Sequence, residues 1–392
     1  MSAATECAKL AKIAQINPTL GTKLAPDDTV SFVPMASLSA ETARVESTTD
    51  RPYGEVSKGY TAFASGDILV AKITPCFENG KIAQAVLPRP HGFGSTEFHV
   101  IRPIKGVSDG RYLHHFLRLD RVRTEGQRRM TGSGGQRRVP ANYLAEVEVP
   151  LPPLPEQRRI AAILDQADTL RTQRRAALAQ LDSLTQSLFL DMFGDPVTNP
   201  KAWAVRPLST LGKVVTGNTP SRDVPEFYGN AIEWIKSDNV NTPHYYLTEA
   251  REGLSEAGKA VGRVVPAGSI LVTCIAGSPE CIGNAAMADR EVAFNQQINA
   301  FIPNELDPHF AYAQIVVGKK LIQSASTNGM KGMVSKSRLE SIELITPPLP
   351  LQQTFATRIQ AIEALKAQHR AALAEADALF AALQQRAFAG GL

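Results

Sequence analysis

The segment Pro152-Pro153-Leu154-Pro155-Glu156-Gln157 occurs again 195 residues later as Pro347-Pro348-Leu349-Pro350-Leu351-Gln352. With this shift and no gap, residues 152–193 match residues 347–388 at 17 of 42 positions. An ungapped match of this length indicates an internal duplication. The chain is therefore expected to contain two copies of one structural plan.

Each copy of the repeat has the composition of a long helix. Pro155 and Pro350 stand where a first-turn proline is tolerated, because its missing N–H would be unpaired there anyway. From Glu156 to Phe193 the chain contains neither Gly nor Pro and is rich in good helix formers. Glycines follow both segments and are expected to end the helices. About 39 residues at a rise of ~1.5 Å would give a helix roughly 58 Å long.

Apolar residues recur three and four positions apart in both helices, which is typical of a coiled-coil seam. A helix of this length cannot hide such a stripe within its own half, so the two copies are expected to pair in antiparallel fashion. Arg174 and His369 interrupt the seam at equivalent places, either as polar residues that fix the register or as residues exposed at its edge. The predicted helix-pairing residues are Ile160, Ile163, Leu170, Arg174, Leu181, Leu184, Leu188, Phe355, Ile362, Leu365, His369, Leu379 and Leu383.

The segments before the two helices have similar lengths and the patterns of mixed α/β domains. Gly66-Asp67-Ile68-Leu69-Val70 is similar to Gly268-Ser269-Ile270-Leu271-Val272, each an apolar strand entered by a glycine turn. We therefore predict an α+β chain with a pseudo-twofold internal repeat, in which two long antiparallel coiled-coil helices separate two mixed α/β domains. The predicted boundaries are 1–150 for the first domain, 151–196 for the first helix, 197–346 for the second domain and 347–392 for the second helix.

The composition excludes several classes of protein. Of the 392 residues, 43% are hydrophobic and 20% charged, as in a folded globular protein and unlike a disordered one. No apolar run is long enough to cross a bilayer, and the first residues lack the pattern of a secretory signal, so we expect a cytoplasmic protein. Four scattered cysteines indicate reduced thiols, and neither a disulfide framework nor a metal site is expected.

Basic residues are concentrated in one part of the chain. Residues 102–138 contain ten basic and three acidic side chains, a net charge of +7 in a chain whose total is +4. A local basic excess of this kind is typical of a nucleic-acid footprint, although a solvated helix face has the same composition.

Loop-like stretches rich in Gly, Arg, Lys, Gln and Asn occur in both halves, the clearest being Thr131–Arg138 and its counterpart Thr327–Met333. Glycine lets the backbone approach a phosphate, Arg binds phosphate or guanine, and Gln and Asn bind adenine. Each stretch alone is compatible with an ordinary turn, but together they favour a DNA-binding surface. The candidate DNA-binding residues are Lys72, Thr74, Lys81, Arg128, Arg129, Gln136, Arg137, Arg138, Asn218, Thr219, Arg222, Gln296, Lys331, Lys336 and Arg338.

No reaction centre is visible in the sequence. The chain lacks the phosphate-binding loop, the dinucleotide fingerprint, the His-Glu-x-x-His zinc motif and the Gly-x-Ser-x-Gly nucleophile elbow. Asn199-Pro200-Lys201 lacks the second proline and the aromatic ring with which amino-methylating enzymes hold a flipped base. A non-catalytic protein is therefore favoured.

Taken together, these residues resemble the specificity subunit of type I restriction-modification systems. The likeness covers essentially the whole chain and is most specific in the twin helix segments. Leu351, where the first copy has Glu156, is a departure from the repeated motif. The further matching segments are 67–76 and 94–98 in the first half, and Trp203, Pro207-Leu208, Leu211-Gly212, 217–220 and 232–235 in the second.

The resemblance implies that each globular domain is a target recognition domain that reads one half of a bipartite, asymmetric site in double-stranded DNA. The paired helices would act as a spacer and would dock methyltransferase (modification) subunits, of which two are expected. A separate restriction (translocase and endonuclease) subunit would cut unmodified DNA. No cofactor is expected on this chain, because S-adenosylmethionine, ATP and Mg²⁺ would be bound by the partner subunits.

Two other classes stay open on the residues alone. One is a nuclease with a dispersed active site, which the purified chain with Mg²⁺ and DNA would reveal. The other is a coiled-coil adaptor that binds only proteins, for which the basic segment would prove buried and DNA would not be retained at low salt.

Overall fold

The computed structural model describes residues 6–133, 135–327 and 332–392 and divides the chain into two compact units. The first unit comprises Met1–Arg175 and Ala371–Leu392, and the second comprises Ala176–Arg370. The division falls within both long helices, whereas the sequence-based boundaries set the helices apart from the domains. The physical reason is that each helix half shares the hydrophobic core of the domain in its own unit.

The first unit is built mainly from short strands and short helices. Its strands are β1 (Cys7–Lys9), β2 (Ala14–Ile16), β3 (Thr29–Val33), β4 (Thr49–Pro52), β5 (Thr61–Ala64), β6 (Ile68–Ala71), β7 (Ile82–Gln84), β8 (His91–Gly94), β9 (Phe98–Pro103) and β10 (Glu148–Pro150). Its helices are α1 (Leu10–Ile13), α2 (Tyr53–Val56), α3 (Gly110–Leu117), α4 (Asp120–Arg128), α5 (Ala141–Glu146) and the first part of α6 (Leu154–Phe193).

Two four-stranded sheets and one two-stranded sheet form the frame of the first unit. Their strand orders are β2-β9-β6-β7, β4-β3-β8-β5 and β1-β10. All neighbouring strands are antiparallel except β3 and β8, which are parallel. The central strand β6 is buried along its whole length, as its run of Ile, Leu, Val and Ala predicts.

The second unit repeats this construction. Its strands are β11 (Val205–Pro207), β12 (Gly212–Thr216), β13 (Tyr228–Ile235), β14 (Gly253–Leu254), β15 (Val264–Val265), β16 (Ile270–Thr273), β17 (Ile275–Ala276), β18 (Ala285–Met287), β19 (Val292–Phe294), β20 (Ile298–Pro303), β21 (Gly332–Met333) and β22 (Glu343–Ile345). Its helices are α7 (Ser237–Val240), α8 (Glu256–Val261), α9 (Pro308–Val317), α10 (Lys319–Ser324), α11 (Lys336–Glu340) and α12 (Leu349–Ala387), of which the last part belongs to the first unit.

Three sheets of the second unit correspond to the three of the first, and its additional pair β17-β21 corresponds to an isolated bridge between Ile73 and Arg138. The orders β12-β20-β16-β18 and β14-β13-β19-β15 have the same antiparallel and parallel neighbours as their counterparts, including the single parallel pair, β13 and β19. The pair β11-β22 corresponds to β1-β10. The predicted α+β class and internal repeat are thus confirmed strand by strand.

The glutamine of the repeated motif explains why Pro-Pro-Leu-Pro-x-Gln recurs. Gln157 accepts a hydrogen bond from the backbone of Asp109 at 2.9 Å and donates one to Pro152 at 2.9 Å. Asp109 in turn caps α3 through its side chain. Gln352 makes the same bonds to Asp307, which caps α9, and to Pro347. In each unit one buried amide therefore joins the start of a long helix to the start of a domain helix.

The halves of α6 and α12 run antiparallel within each unit. In the first unit, Ile160, Leu164 and Ala167 of α6 share a buried core with Phe380 and Ala387 of α12. In the second unit, Phe189 and Phe193 of α6 contact Phe355 of α12, with ring centroids 5.7 and 5.4 Å apart. Higher numbers on α6 thus meet lower numbers on α12, as predicted for antiparallel pairing.

The predicted seam needs correction at four leucines. Leu170, Leu184, Leu365 and Leu379 are 49%, 49%, 47% and 53% exposed, so their assignment to the helix-pairing contact is wrong. A straight helix has 3.6 residues per turn, so a stripe with a strict 3.5-residue spacing drifts off the contact line.

The other predicted helix-pairing positions fall into groups with different exposure. Three are buried (Ile160, Phe355 and Ile362), and three are partly buried against the cores (Leu181, Leu188 and Leu383). Ile163 and His369 are intermediate in exposure, and Arg174 is exposed.

Ion pairs between a largely buried cation and an exposed carboxylate link the helices three residues before Arg174 and His369. In the first unit, Arg171 binds Asp168 at 2.8 Å on its own helix and Asp377 at 2.5 Å on the other. In the second unit, the equivalent Lys366 binds Glu363 at 2.6 Å and Asp182 at 2.8 Å. All three positions of each triad are related by the 195-residue shift. The polar contact between the helices is therefore duplicated together with the helices.

Within the described residues, none of the helices combines the length and apolar character that a membrane span requires.

Candidate nucleic-acid interface

The glycine-rich segment Thr131–Arg138 of the first unit is held against the residues that follow strand β6. The backbone N–H of Thr74 donates to the carbonyl of Arg137 at 2.9 Å, and that of Val139 donates to the carbonyl of Lys72 at 2.9 Å. These bonds bring together five of the predicted DNA-binding residues. They are Lys72, Thr74, Gln136, Arg137 and Arg138.

The corresponding segment of the second unit occupies the equivalent place. Strand β21 pairs with β17, which follows β16, and the N–H of Val334 donates to the carbonyl of Cys274 at 2.9 Å. Of the predicted residues in this segment, Lys331 lies outside the described residues. The described residues at the two ends of this segment are therefore attached to the same position of the scaffold as in the first unit.

The excess positive charge of residues 102–138 is largely matched by acids from other parts of the fold. Arg102 binds the buried Asp67 at 2.7 Å, Arg118 contacts Asp168 at 3.4 Å, and Arg138 binds Glu97 at 2.8 Å. Arg118 is mostly buried, and this burial lowers its pKa. The segment is thus a set of structural ion pairs with a smaller exposed basic surface than its sequence suggests.

Arg137 is the most accessible cation of the loop that is not tightly paired. Its side chain is 45% exposed, and its nearest carboxylate, that of Glu78, lies 4.0 Å away. One oxygen of Glu78 is buried without a hydrogen-bond partner, so this carboxylate favours a positive charge beside it. Arg137 therefore suits the contact with a phosphate that the sequence predicted.

Three other predicted residues of the first unit lie elsewhere. Arg128 is the last residue of α4 and Arg129 follows it, and both pair with Glu125. The Lys81 ammonium donates to the backbone carbonyl of Met35 at 3.2 Å. Its position favours a structural role over DNA binding, because the charged end is held within the unit.

In the second unit, Thr219 and Gln296 meet through a hydrogen bond between their side chains. Gly217 makes this approach possible, because a Cβ there would lie 2.1 Å from the carbonyl oxygen of Asn295. Asn218 donates to Val261 at 3.0 Å and accepts from Arg263 at 2.7 Å, so its amide ties the loop down.

Arg222 stands beside an aromatic cluster of the second unit. Its guanidinium lies 4.3 Å from the ring centre of Tyr228 and 5.2 Å from that of Trp234, and it also binds Glu252 at 2.8 Å. Lys236 shares Glu252 and holds its pKa below the usual range together with Arg222. Sequence reasoning selected Arg222 but missed these neighbours, since nothing in their spacing predicts that they meet.

The remaining candidates, Lys336 and Arg338, lie on α11 just after the loop. Lys336 contacts Glu340 at 3.6 Å, and Arg338 donates to the carbonyl of Ala325 at 3.0 Å. Arg338 thus connects α11 to the backbone at the end of α10.

One known protein family matches both units of the chain. A family model described as "Type I restriction modification DNA specificity domain" matches residues 20–180 and again residues 200–375. The chain belongs to this family. The two matches coincide with the two copies found in the sequence and with the repeated sheets of the structure.

Members of this specificity-domain family are found among curated bacterial and archaeal proteins. The specificity subunit of the EcoAI type I restriction enzyme of Escherichia coli is 38% identical over 183 residues, which are 46% of this chain and 31% of that protein. The EcoEI specificity subunit of the same species is 37% identical over 185 residues, again 46% and 31%. The matched region thus spans about a third of each of these relatives.

Solved structures of the family show the same fold at low identity. The type I restriction-modification S subunit of M. genitalium aligns with a TM-score of 0.61 and 12% identity, covering 98% of this chain and 96% of that one. A chain from a study of complex assembly and conformational transition in the type I R-M system aligns with a TM-score of 0.54 and 19% identity, covering 99% and 98%. The expected fold class is confirmed by these neighbours.

Proposed function

We propose that the chain is the DNA sequence-specificity subunit of a type I restriction-modification complex. Each unit would read one half of a bipartite, asymmetric site. The observation that carries this proposal is the repetition of one scaffold on which equivalent positions, such as Arg138 and Met333, have different side chains in the two units. A shared frame with unlike readers suits two different half-sites, since base identity is read by side chains in the grooves.

We assign the chain a recognition role without chemistry of its own. Methyl transfer to adenine would be carried out by methyltransferase subunits that bind S-adenosylmethionine, and cleavage by an ATP- and Mg²⁺-dependent restriction subunit. The helices shared by the two units would set the gap between the half-sites, and half-sites one helical turn apart are separated by roughly 34–36 Å.

The four exposed leucines support docking of partner subunits on the helices. The 195-residue shift relates Leu170 to Leu365 and Leu184 to Leu379, so the exposed positions are duplicated. Each unit carries two of them, one from each helix. Large apolar side chains at matched exposed positions favour two equivalent sites, each of which would take one methyltransferase subunit.

The experiment that tests the proposed function is adenine methylation in cells that express this chain with its methyltransferase partner. Sequencing of the modified bases should reveal one bipartite motif with two unlike halves and a constant gap. A continuous motif, or methylation that does not depend on this chain, would contradict the proposal. Cleavage of DNA by the purified chain with Mg²⁺ would support the alternative of a nuclease.

Docking is tested by Leu170→Glu combined with Leu379→Glu, which changes only the first unit. Native mass spectrometry should then show one bound methyltransferase subunit where the unaltered chain binds two. Leu190→Glu is the matched control, because Leu190 is 38% exposed but its equivalent position is Gln385. Two bound subunits in the double variant would exclude these leucines from the contact.

A further inference from the structure

One side-chain position differs sharply between the two units although its backbone surroundings are the same. The N–H of Lys72 donates to the carbonyl of Glu97 at 2.8 Å, and the N–H of Cys274 donates to that of Gln297 at 2.9 Å. Across from these segments, Arg138 forms an antiparallel bridge with Ile73, and Met333 pairs with Ile275 in the same way. Glu97 and Arg138 are therefore equivalent to Gln297 and Met333.

The support beneath this position is also equivalent. The ring Nε2 of His99 lies 2.9 Å from the carbonyl oxygen of Val139, and the amide of Asn299 donates to that of Val334 at 3.5 Å. His99 and Asn299 lie in the matching strands β9 and β20, directly after Glu97-Phe98 and Gln297-Ile298. The backbone frame is thus held alike in both units, while the pair above it and its neighbours Lys72 and Cys274 differ.

In the first unit this pair is ionic. The guanidinium of Arg138 makes bonds of 2.8 and 3.0 Å to the carboxylate of Glu97, and it holds the pKa of that carboxyl below its usual range. In the second unit, Gln297 accepts from Ser237 and Asn295, each at 3.2 Å, and Met333 carries no hydrogen-bond donor. Both positions reach the surface, since the Arg138 side chain is 41% exposed and the whole residue Met333 is 41% exposed.

The charge balance decides what Arg138 can recognise. Because Glu97 neutralises it, the pair presents no net charge, and the carboxylate would repel an approaching phosphate. A guanine edge is uncharged and accepts two parallel hydrogen bonds from a guanidinium. The carboxylate also fixes the orientation of the planar fork, which lowers the entropy lost on binding a base.

We propose that position 138, with its equivalent 333, is a specificity-determining position: Arg138, oriented by Glu97, reads a guanine in one half-site, and Met333 contacts the methyl group of a thymine in the other. This inference rests on the proposed function and names the bases for one position of each half-site. Methionine cannot donate to guanine, whereas an apolar side chain contacts the thymine methyl group favourably.

The test is an exchange of the two pairs in the complete methyltransferase complex. Glu97→Gln with Arg138→Met gives the first unit the pair of the second. The methylated motif should then lose its preference for guanine at one position of one half-site, by on the order of 10- to 100-fold. The other half-site and the gap should stay unchanged. Gln297→Glu with Met333→Arg should introduce a guanine preference at one position of the other half-site.

Two further variants keep the result interpretable. Arg138→Lys retains the positive charge but loses the fork, so the guanine preference should fall without a change of fold. Asp50→Asn with Arg89→Met removes an exposed ion pair of the same unit, which joins the two side chains at 2.6 Å, and should leave the motif intact.

Two results would overturn the assignment of these bases. One is an unchanged motif in the exchanged variant. The other is a uniform loss of binding to all sequences with a weaker salt dependence, which would identify Arg138 as a phosphate contact. If the unaltered complex methylates no bipartite motif, the proposed function itself fails, and that outcome is visible before any variant is made.

Discussion

The two units share a frame and differ in how their polar side chains are used. In the first unit, arginines lie in ion pairs with carboxylates of distant segments, as Arg102 does with Asp67. In the second, the candidate residues Gln296 and Thr219 hydrogen-bond to each other, and Arg222 pairs with Glu252 beside an aromatic cluster. Duplication has therefore preserved the backbone hydrogen bonds and the cores, while the side chains above them have diverged. This contrast distinguishes the backbone and core residues that hold the frame from the side chains that would recognise DNA.

The largest expected effect on the stability of either unit concerns two equivalent phenylalanines. Phe388 packs on Tyr112 and Phe116 of the first unit, and Phe193 packs on Phe310 and Phe355 of the second. Replacing either by Ala should cost about 3–5 kcal/mol, because a large buried ring is lost. Hydrogen exchange should show Phe388→Ala loosening the first unit and Phe193→Ala the second. Equal loosening of both units by one variant would contradict their separate cores.

The buried triads give the next effect. Lys366→Met leaves the buried Glu363 with only its longer contact to Arg370, at 3.9 Å, and should cost about 3 kcal/mol. Arg171→Met should cost less, since Asp168 is less buried than Glu363 and keeps Arg118 as a partner. Urea denaturation with a probe in each unit measures both variants. A larger loss for Arg171→Met would show that exposure does not control the cost.

A smaller effect is expected at Arg137. Because this exposed cation is not tightly paired, Arg137→Ala should weaken DNA binding by about 1 kcal/mol across sequences and lower the salt slope by about one. Arg206→Ala is the control, because Arg206 is 44% exposed but contacts Glu305 at 3.5 Å in the second unit. Binding assays over a range of salt concentrations would separate the two, and an unchanged slope for Arg137→Ala would remove it from the interface.

The smallest expected effect is on the pH dependence of stability, because the first unit has His99 where the second has Asn299. Burial lowers the pKa of His99 below its usual range of about 6.5. Below that pH the unfolded chain binds the proton more readily than the folded unit, so the stability of the first unit should fall as the solution is acidified. His99→Asn copies the second unit and should flatten this dependence below about pH 6.5. Thermal unfolding of both proteins at several pH values measures the difference.

Much of the fold was predictable because it depends on patterns that are visible in the amino-acid sequence alone. The ungapped repeat, the first-turn prolines and the glycine-entered strands predicted both long helices and the equivalence of β6 with β16. The four leucines of the seam were assigned wrongly, because a contact line depends on the exact twist of a helix and on which domain covers it.

The candidate site was predictable only in part. Glycine-rich loops could be located, and Arg137 and Arg138 do lie beside Lys72 and Thr74. The carboxylates that pair with the arginines could not be found, because Glu97 is 41 residues from Arg138 along the chain. Such partners are set by strand pairing, and Asp67 and Glu97 gave a signal only because they belong to segments that carried the family resemblance.

The division of the helices between units bears on the order in which the protein is made. Residues 371–392 leave the ribosome after all of residues 176–370, yet they supply Phe380, Ala387 and Phe388 to the core that surrounds Leu10 and Tyr112. During synthesis the first domain therefore has to wait for the helical turns of residues 371–392, while the second can already close. Nascent chains of this protein should reverse the usual N-terminal-first sequence of maturation and offer chaperones an open apolar cleft until those residues have emerged.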